Sequence, residues 1–169
     1  MTDPLTPEKR SWLMGRIRSA NTKPELVLRS LLHRCGYRFS LRRKDLPGKP
    51  DIVLRKYRTV IFVHGCFWHR HPECKQATVP QTRPEFWTEK SARNVARDQR
   101  NREELVAFGW QVLVVWECEL RRDPLAVLEQ VVARLTPEAQ TLSYGDLPDR
   151  REVWKVAEGK LHYRLDRSP

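Results

Sequence analysis

Pro50-Asp51-Ile52-Val53-Leu54 and Thr59-Val60-Ile61-Phe62-Val63-His64 are two short apolar runs separated by the charged segment Arg55-Lys56-Tyr57-Arg58. Runs rich in β-branched residues, broken by a polar turn, predict a pair of strands over Asp51–Leu54 and Thr59–His64. Side chains alternate across a strand, so Asp51 and Val53 share one face, and Val60, Phe62 and His64 share one face of the neighbour. An acid opens the first strand and a histidine closes the second. Upstream, Tyr37, Phe39 and Leu41 alternate with polar residues as a half-buried strand does, and Leu46-Pro47-Gly48-Lys49-Pro50 reads as the turn of a hairpin. Downstream, Gln111–Trp116 is nearly continuous in apolar residues and reads as a short buried strand.

Helices surround these strands. Thr6-Pro7-Glu8 supplies a cap, a first-turn proline and an early acid ahead of a helix over Lys9–Ala20. Pro24 opens a second, in which Leu28, Leu31, Leu32 and Cys35 form one stripe and Gly36 stands where a C-terminal cap belongs, so Cys35 reads as core. Pro84–Phe108 is helical in character but mostly polar, and Asp123-Pro124 caps a last helix with Leu125, Leu128, Val132 and Leu135 on one side. The order helix, helix, three strands, helix, strand, helix implies an α/β fold, a mixed sheet covered by helices. Beyond Pro137 the pattern weakens, and 137–169 reads as an irregular extension around Trp154.

The length of 169 residues suits one domain, and the net charge of +11 favours a polyanion such as nucleic acid or an acidic lipid face. By block the charge is +8 over 1–50, +5 over 51–100, −4 over 101–150 and +2 over the remainder, which places the anion-binding face in the first hundred residues. Each apolar run is far shorter than the roughly 20 residues that span a bilayer, so no membrane span is expected. The start Met1-Thr2-Asp3-Pro4 lacks the features of a signal peptide, and the expected compartment is cytoplasmic. Reduced thiols there make Cys35, Cys66, Cys74 and Cys118 core residues or metal ligands before disulfides.

The stretch His64–Cys74 packs two cysteines and three histidines into eleven positions of a segment without periodicity, Gly65–Arg83, which points to a loop organised by metal. Cys66, His71 and Cys74 have ligand spacing for zinc, and Cys118, at the end of the Gln111–Trp116 strand, completes a structural Cys3His set. His69 competes for that fourth position. Asp51 beside a main-chain carbonyl offers Mg2+ hard oxygen ligands and leaves room for water and phosphate, although Pro-Asp before a strand also serves as a simple turn. Glu25 has two readings, a first-turn acid favoured by the helix N-terminus or a group reaching the metal's outer shell. Phe67 and Trp68, with Phe86 and Trp87, flank the loop in the basic half of the chain, the pattern needed to stack on or insert between bases.

Taken in order, Pro50-Asp51-Ile52-Val53, Val63-His64-Gly65-Cys66-Phe67-Trp68-His69, Glu85-Phe86-Trp87-x-Glu89-Lys90, Asn94-Val95-x-Arg97-Asp98 and Gly109-Trp110-x-Val112-Leu113-x-Val115-Trp116-Glu117-Cys118 resemble the Vsr endonucleases of very short patch repair. The resemblance runs from about Leu13 to Leu135. It implies a restriction-endonuclease-like fold, with 1–136 as the endonuclease domain. It also implies a Mg2+-dependent enzyme that nicks duplex DNA 5′ of the T in a T·G mismatch left by deamination of 5-methylcytosine. By that likeness Asp51 binds the metal with the Val63 carbonyl, His64 and His69 handle protons or touch the phosphate, and Glu25 supports the metal water. Cys66, His71, Cys74 and Cys118 hold structural zinc, while Phe67, Trp68 and Trp87 form a wedge and Lys90 and Asn94 touch bases. The basic helix within 1–20 clamps the opposite groove, with Met14 and Ile17 inserting and Arg16 and Arg18 on phosphates. The Glu-x-Lys motif of many related nucleases is missing after Asp51, and Val63-His64 stands there instead. The implied setting is a monomer at the bacterial nucleoid, with mismatch-repair proteins and a repair DNA polymerase as partners. Two other readings share these features: a related restriction or repair nuclease with a different site, and a zinc-stabilised DNA-binding module without catalysis.

Overall fold

The computed structural model describes residues 20–135 and, ahead of these, Thr6, Lys9, Trp12, Gly15 and Arg16. Lys9, Trp12 and Gly15 are helical, whereas Arg16 lies in a turn and Ala20 in a bend, so the described residues support the first part of the helix expected over Lys9–Ala20 and not its end. Leu13, Met14, Ile17 and Arg18, and the extension 137–169, lie outside the described residues.

Helix α1 (Lys23–Arg34) begins with Pro24 in its first turn and ends at Gly36, whose φ of +81° only glycine adopts freely. Strand β1 (Ile52–Leu54) turns through a 3-10 segment, Arg55–Tyr57, into β2 (Thr59–His64). Helix α2 (Pro84–Ala107) is followed by β3 (Gln111–Trp116), a short α3 (Glu117–Arg122) and α4 (Pro124–Leu135). The sheet order is β1-β2-β3, with β1 antiparallel and β3 parallel to β2. This is the mixed, helix-flanked sheet that the element order implies.

One face of the sheet is fully covered. Ile52, Leu54, Ile61, Leu113 and Val115 pack against Leu28, Leu31 and Leu32 of α1 and against Leu128, Val132 and Leu135 of α4. Asp123 Oδ1 accepts the amides of Leu125 and Ala126, which fixes the start of α4. On the other face Val53 and Val60 meet a single buried residue of α2, Leu105. The 24-residue α2 buries no other residue, so its polar composition is explained by exposure along nearly its whole length. The half-open face is the floor of a cleft of about 1500 Å³, with Val112, Val114 and Trp116 along it.

Three expectations need correction. The strand over Tyr37–Leu41 contracts to a single antiparallel bridge, Ser40 to Val53. The next rung would pair Arg42 with Asp51, but Arg42, at φ +45°, donates its amide to the Pro50 carbonyl instead, and the ladder stops. Strand β3 is not buried throughout: Gln111 is exposed and only Leu113 and Val115 are buried, because its other face looks into the cleft. Cys118 does not end that strand but sits in the first turn of α3. Glu119 caps this helix by accepting the Trp116 amide at 3.2 Å.

Candidate active site and metal centre

Asp51 stands one residue before β1, where the antiparallel ladder ends. Its Oδ2 accepts the Val63 amide at 2.8 Å in place of the next rung. Because Val53 exchanges bonds with Ser40, Ile52 and Leu54 face β2, and the backbone groups of Thr59, Ile61 and Val63 point toward β1. The Val63 carbonyl, on the same side as its amide, therefore looks toward Asp51, and the two supply neighbouring hard oxygens of the kind a small divalent cation takes. Burial pushes the Asp51 carboxyl up to about 6, against the Val63 bond, with Glu25 raising it further and Arg29 and Arg42 lowering it.

Glu25 is buried and engaged at both oxygens. Oε1 accepts the amide and hydroxyl of Thr22 at 3.3 and 2.8 Å, while Oε2 accepts Arg29 at 2.5 Å, Arg42 at 3.1 Å and the Asn21 amide at 3.2 Å. Glu25 is thus the first-turn acid expected of it and also closes a capping box with Thr22. Arg29, fully buried, also reaches the Asp51 carbonyl at 3.4 Å, so the ion cluster ties the start of α1 to the start of β1. Removing one partner of a buried ion pair strands the other charge, and we expect Glu25→Ala to cost about 3–5 kcal/mol, read as a lowered urea midpoint.

Across the cleft, His64 and His69 stack with ring centroids 3.8 Å apart and planes at 10°. His69 Nδ1 is 2.5 Å from Asp98 Oδ2, and Arg97 donates to the other oxygen at 3.2 Å. Burial and then the neighbouring His69 push His64 down to about 4, so it is neutral near pH 7. Burial raises Asp98, but the hydrogen bond with His69 and the nearby charges outweigh it and hold the carboxyl below its ordinary value. Sequence reasoning did not single out Asp98 as a site residue. The available signal was its helical spacing from Lys90 and Asn94, which puts all three on one side of α2.

Trp87 of α2 joins an aromatic group with Phe67 and Trp68 of the loop. Phe67 meets Trp68 at 4.9 Å and Trp87 at 5.3 Å, and Trp68 lies 6.1 Å from Trp87. Lys90 Nζ sits 5.3 to 5.5 Å over Trp87, Trp68 and Phe86, and Asn94 donates to the Trp68 carbonyl at 3.0 Å. Asn94 therefore holds the loop that carries the wedge candidates. Arg16 lies 3.8 Å over the ring of Trp12, and both are exposed.

Cys66, His71, Cys74 and Cys118 converge with their ligand atoms all within 4.8 Å of one another. His71 Nδ1 is 3.5 Å from Cys66 Sγ and 3.3 Å from Cys118 Sγ. A tetrahedral zinc with ordinary bond lengths has N–S edges of about 3.5 Å, so the donor set and its spacing fit that ion. His69 pairs with Asp98 instead and does not compete. Burial pushes the Cys66 thiol up to about 12 and raises Cys118 as well, whereas backbone amides led by that of Gln76 lower Cys74. A coordinated cation overrides such shifts, because a ligating thiol is deprotonated outright.

A family model described as DNA mismatch endonuclease Vsr matches residues 2–76. The chain is 57% identical over 120 residues to the type II nicking enzyme V.XorIIP of Xanthomonas oryzae pv. oryzae, covering 71% of this chain and 88% of the relative. It is 45% identical over 138 residues to the type II nicking enzyme V.NmeAIP of Neisseria meningitidis, covering 82% and 96%. Against the DNA mismatch endonuclease Vsr of Escherichia coli it is 43% identical over 159 residues, covering 94% and 91%. No described helix is long and apolar enough to cross a membrane. Likeness sustained over nearly the full length, on a restriction-endonuclease-like mixed sheet, makes this chain a nicking endonuclease of the Vsr DNA mismatch endonuclease family.

Proposed function

We infer that the chain is a Mg2+-dependent enzyme that recognises a T·G pair in duplex DNA and hydrolyses the phosphodiester 5′ of the T, starting very short patch repair. One observation carries this reading. A single cleft brings together the Asp51–Val63 oxygens, the His64–His69–Asp98 cluster and the loop and helix bearing Trp68 and Asn94.

Asp51 and the Val63 carbonyl would hold Mg2+. When bound, that ion neutralises phosphate charge and makes a nearby water more acidic. Asp98 fixes His69 with Nδ1 as donor, which leaves Nε2 to take the proton of the attacking water. Neutral His64 stacks behind it and offers a hydrogen bond without charge. The parallel rings of His64 and His69 suit a proton-handling pair better than a second tetrahedral metal site. Glu25 acts by holding Arg29 and Arg42 beside Asp51.

Phe67, Trp68 and Trp87 are the proposed wedge, oriented by zinc on one side and by Lys90 and Asn94 on the other. Unstacking a base step costs least where pairing is already imperfect, which makes insertion a sensor of T·G pairs. Trp68→Ala should weaken binding to a T·G duplex by about 10–100-fold, the effect of one lost stacking contact, while matched-duplex binding at equal salt changes far less. Equal loss on both duplexes would reduce the wedge to a general contact. Competition binding with the two duplexes at one salt concentration decides it.

In the same reading 1–136 is the endonuclease domain and works as a monomer. Its first 20 residues clamp the duplex through Met14, Arg16, Ile17 and Arg18. The nick passes to a repair DNA polymerase and mismatch-repair proteins at the bacterial nucleoid in the cytoplasm.

A further inference from the structure

The metal cluster and the histidine pair are joined by one residue. Trp116, the last residue of β3, is in parallel register with His64, the last residue of β2, so their side chains emerge on the same face from strands about 4.8 Å apart. His71 stacks on the indole at 4.1 Å and 5°. The indole in turn meets His64 edge-on at 5.4 Å and 72°, and His64 stacks on His69, which Asp98 holds. Three ring contacts and one hydrogen bond thus run from a residue of the metal cluster to the carboxylate on α2.

The Trp116 backbone is fixed without its side chain. Its amide is taken by Glu119, and the strand pairing with β2 runs along the whole of β3. The indole carries no group that titrates near neutral pH, so its contribution is the position of the two imidazoles it touches. His64 is held in β2, but its stacking partner His69 and the cluster residue His71 belong to a segment whose own backbone bonds are local: His69 to Gly65, His71 to Cys66 and Cys74 to His71. A loop built from such turns does not by itself fix a ring plane.

We propose that Trp116 is a positioning residue that couples the Cys66/His71/Cys74/Cys118 cluster to the His64–His69–Asp98 group, so that an occupied metal cluster sets the ring orientation needed for hydrolysis. This rests on the reading of His69 as the proton-handling group. A displacement of about 1 Å at a reacting group costs on the order of 100-fold in rate, so loss of the indole is felt in the chemical step without any contact to the reacting atoms.

The test compares the native chain with Trp116→Leu, Trp116→Phe and His69→Ala, each purified holding its metal. Trp116→Leu should keep its zinc and bind a T·G duplex within about 3-fold of native, while its nicking rate at saturating DNA falls roughly 10–100-fold. Trp116→Phe should restore the rate to within about 3-fold, because an aromatic ring still separates the two imidazoles. Zinc release to a chromogenic chelator should also speed up several-fold in the Leu variant and not in the Phe variant, since His71 has lost the ring it stacks on. Native nicking by Trp116→Leu, or equal losses of zinc, binding and rate, would overturn the coupling. Unchanged zinc release in the Leu variant would do the same. His69→Ala separates the two ideas: if it nicks at the native rate, the reading of His69 fails, and the zinc-release arm, which does not involve His69, still judges the contact through Trp116.

Discussion

Asp51→Asn should bind a T·G duplex about as well as the native chain and nick it at least ~10³-fold more slowly, since removing a metal-binding charge takes several kcal/mol from the transition state. Asparagine keeps the shape and can still receive the Val63 amide, so the sheet edge remains as it is. A pH experiment tests the same assignment without DNA. The Asp51 carboxyl is raised to about 6, above its value of 3.8 in the unfolded chain, so its protonated form favours folding. That contribution is fully present below about pH 4 and is lost as pH rises through about 6. In the proposed site Mg2+ would bind the ionised form, and its thermal stabilisation of the chain should therefore appear as pH passes about 6 and be missing from Asp51→Asn. Near-native nicking by Asp51→Asn, or Mg2+ stabilisation that ignores the substitution, would remove Asp51 from the metal site.

The second large effect concerns the cysteine cluster. Cys74→Ser removes one of three proposed thiolate ligands, and since metal binding is coupled to folding, zinc should fall from one per chain to nearly none. If about 3 kcal/mol or more of stability goes with it, the melting temperature drops by roughly 10 °C for a chain of this size. Elemental analysis and a thermal melt measure the two quantities. A folded, active native chain that holds no zinc would contradict both the site and the coupling through Trp116.

Much of this was readable because the signals are local. The stripe Leu28, Leu31 and Leu32 needs only helical spacing, and all three are fully buried. Cys66, His71 and Cys74 lie within nine residues. Cys118 is distant in sequence, yet the parallel register brings it in: His64 pairs with Trp116, so Cys66 and Cys118, each two residues further on, arrive side by side. Other features depend on tertiary packing. Asp98 sits among arginines on a polar helix, where its spacing from Lys90 and Asn94 gives it a side but no partner, and the approach of His69 gives it a role. The Glu25 cluster joins residues 21, 22, 25, 29 and 42, and nothing in the spacing of Arg42 indicates that it folds back. Helix α3 is only six residues long, but its sequence, Glu-Cys-Glu-Leu-Arg-Arg, places acids at its start and cations at its end as the helix dipole prefers.

In the proposed function one cleft combines mismatch sensing with metal-dependent hydrolysis. The most direct test is single-turnover cleavage of two end-labelled duplexes that differ only in T·G against C·G at one position, with Mg2+ and with chelator. One nick is expected, in the T strand, immediately 5′ of the T, formed only from the T·G duplex and only with Mg2+. Equal cleavage of the matched duplex, a nick in the G strand, or cleavage that survives chelation would contradict it.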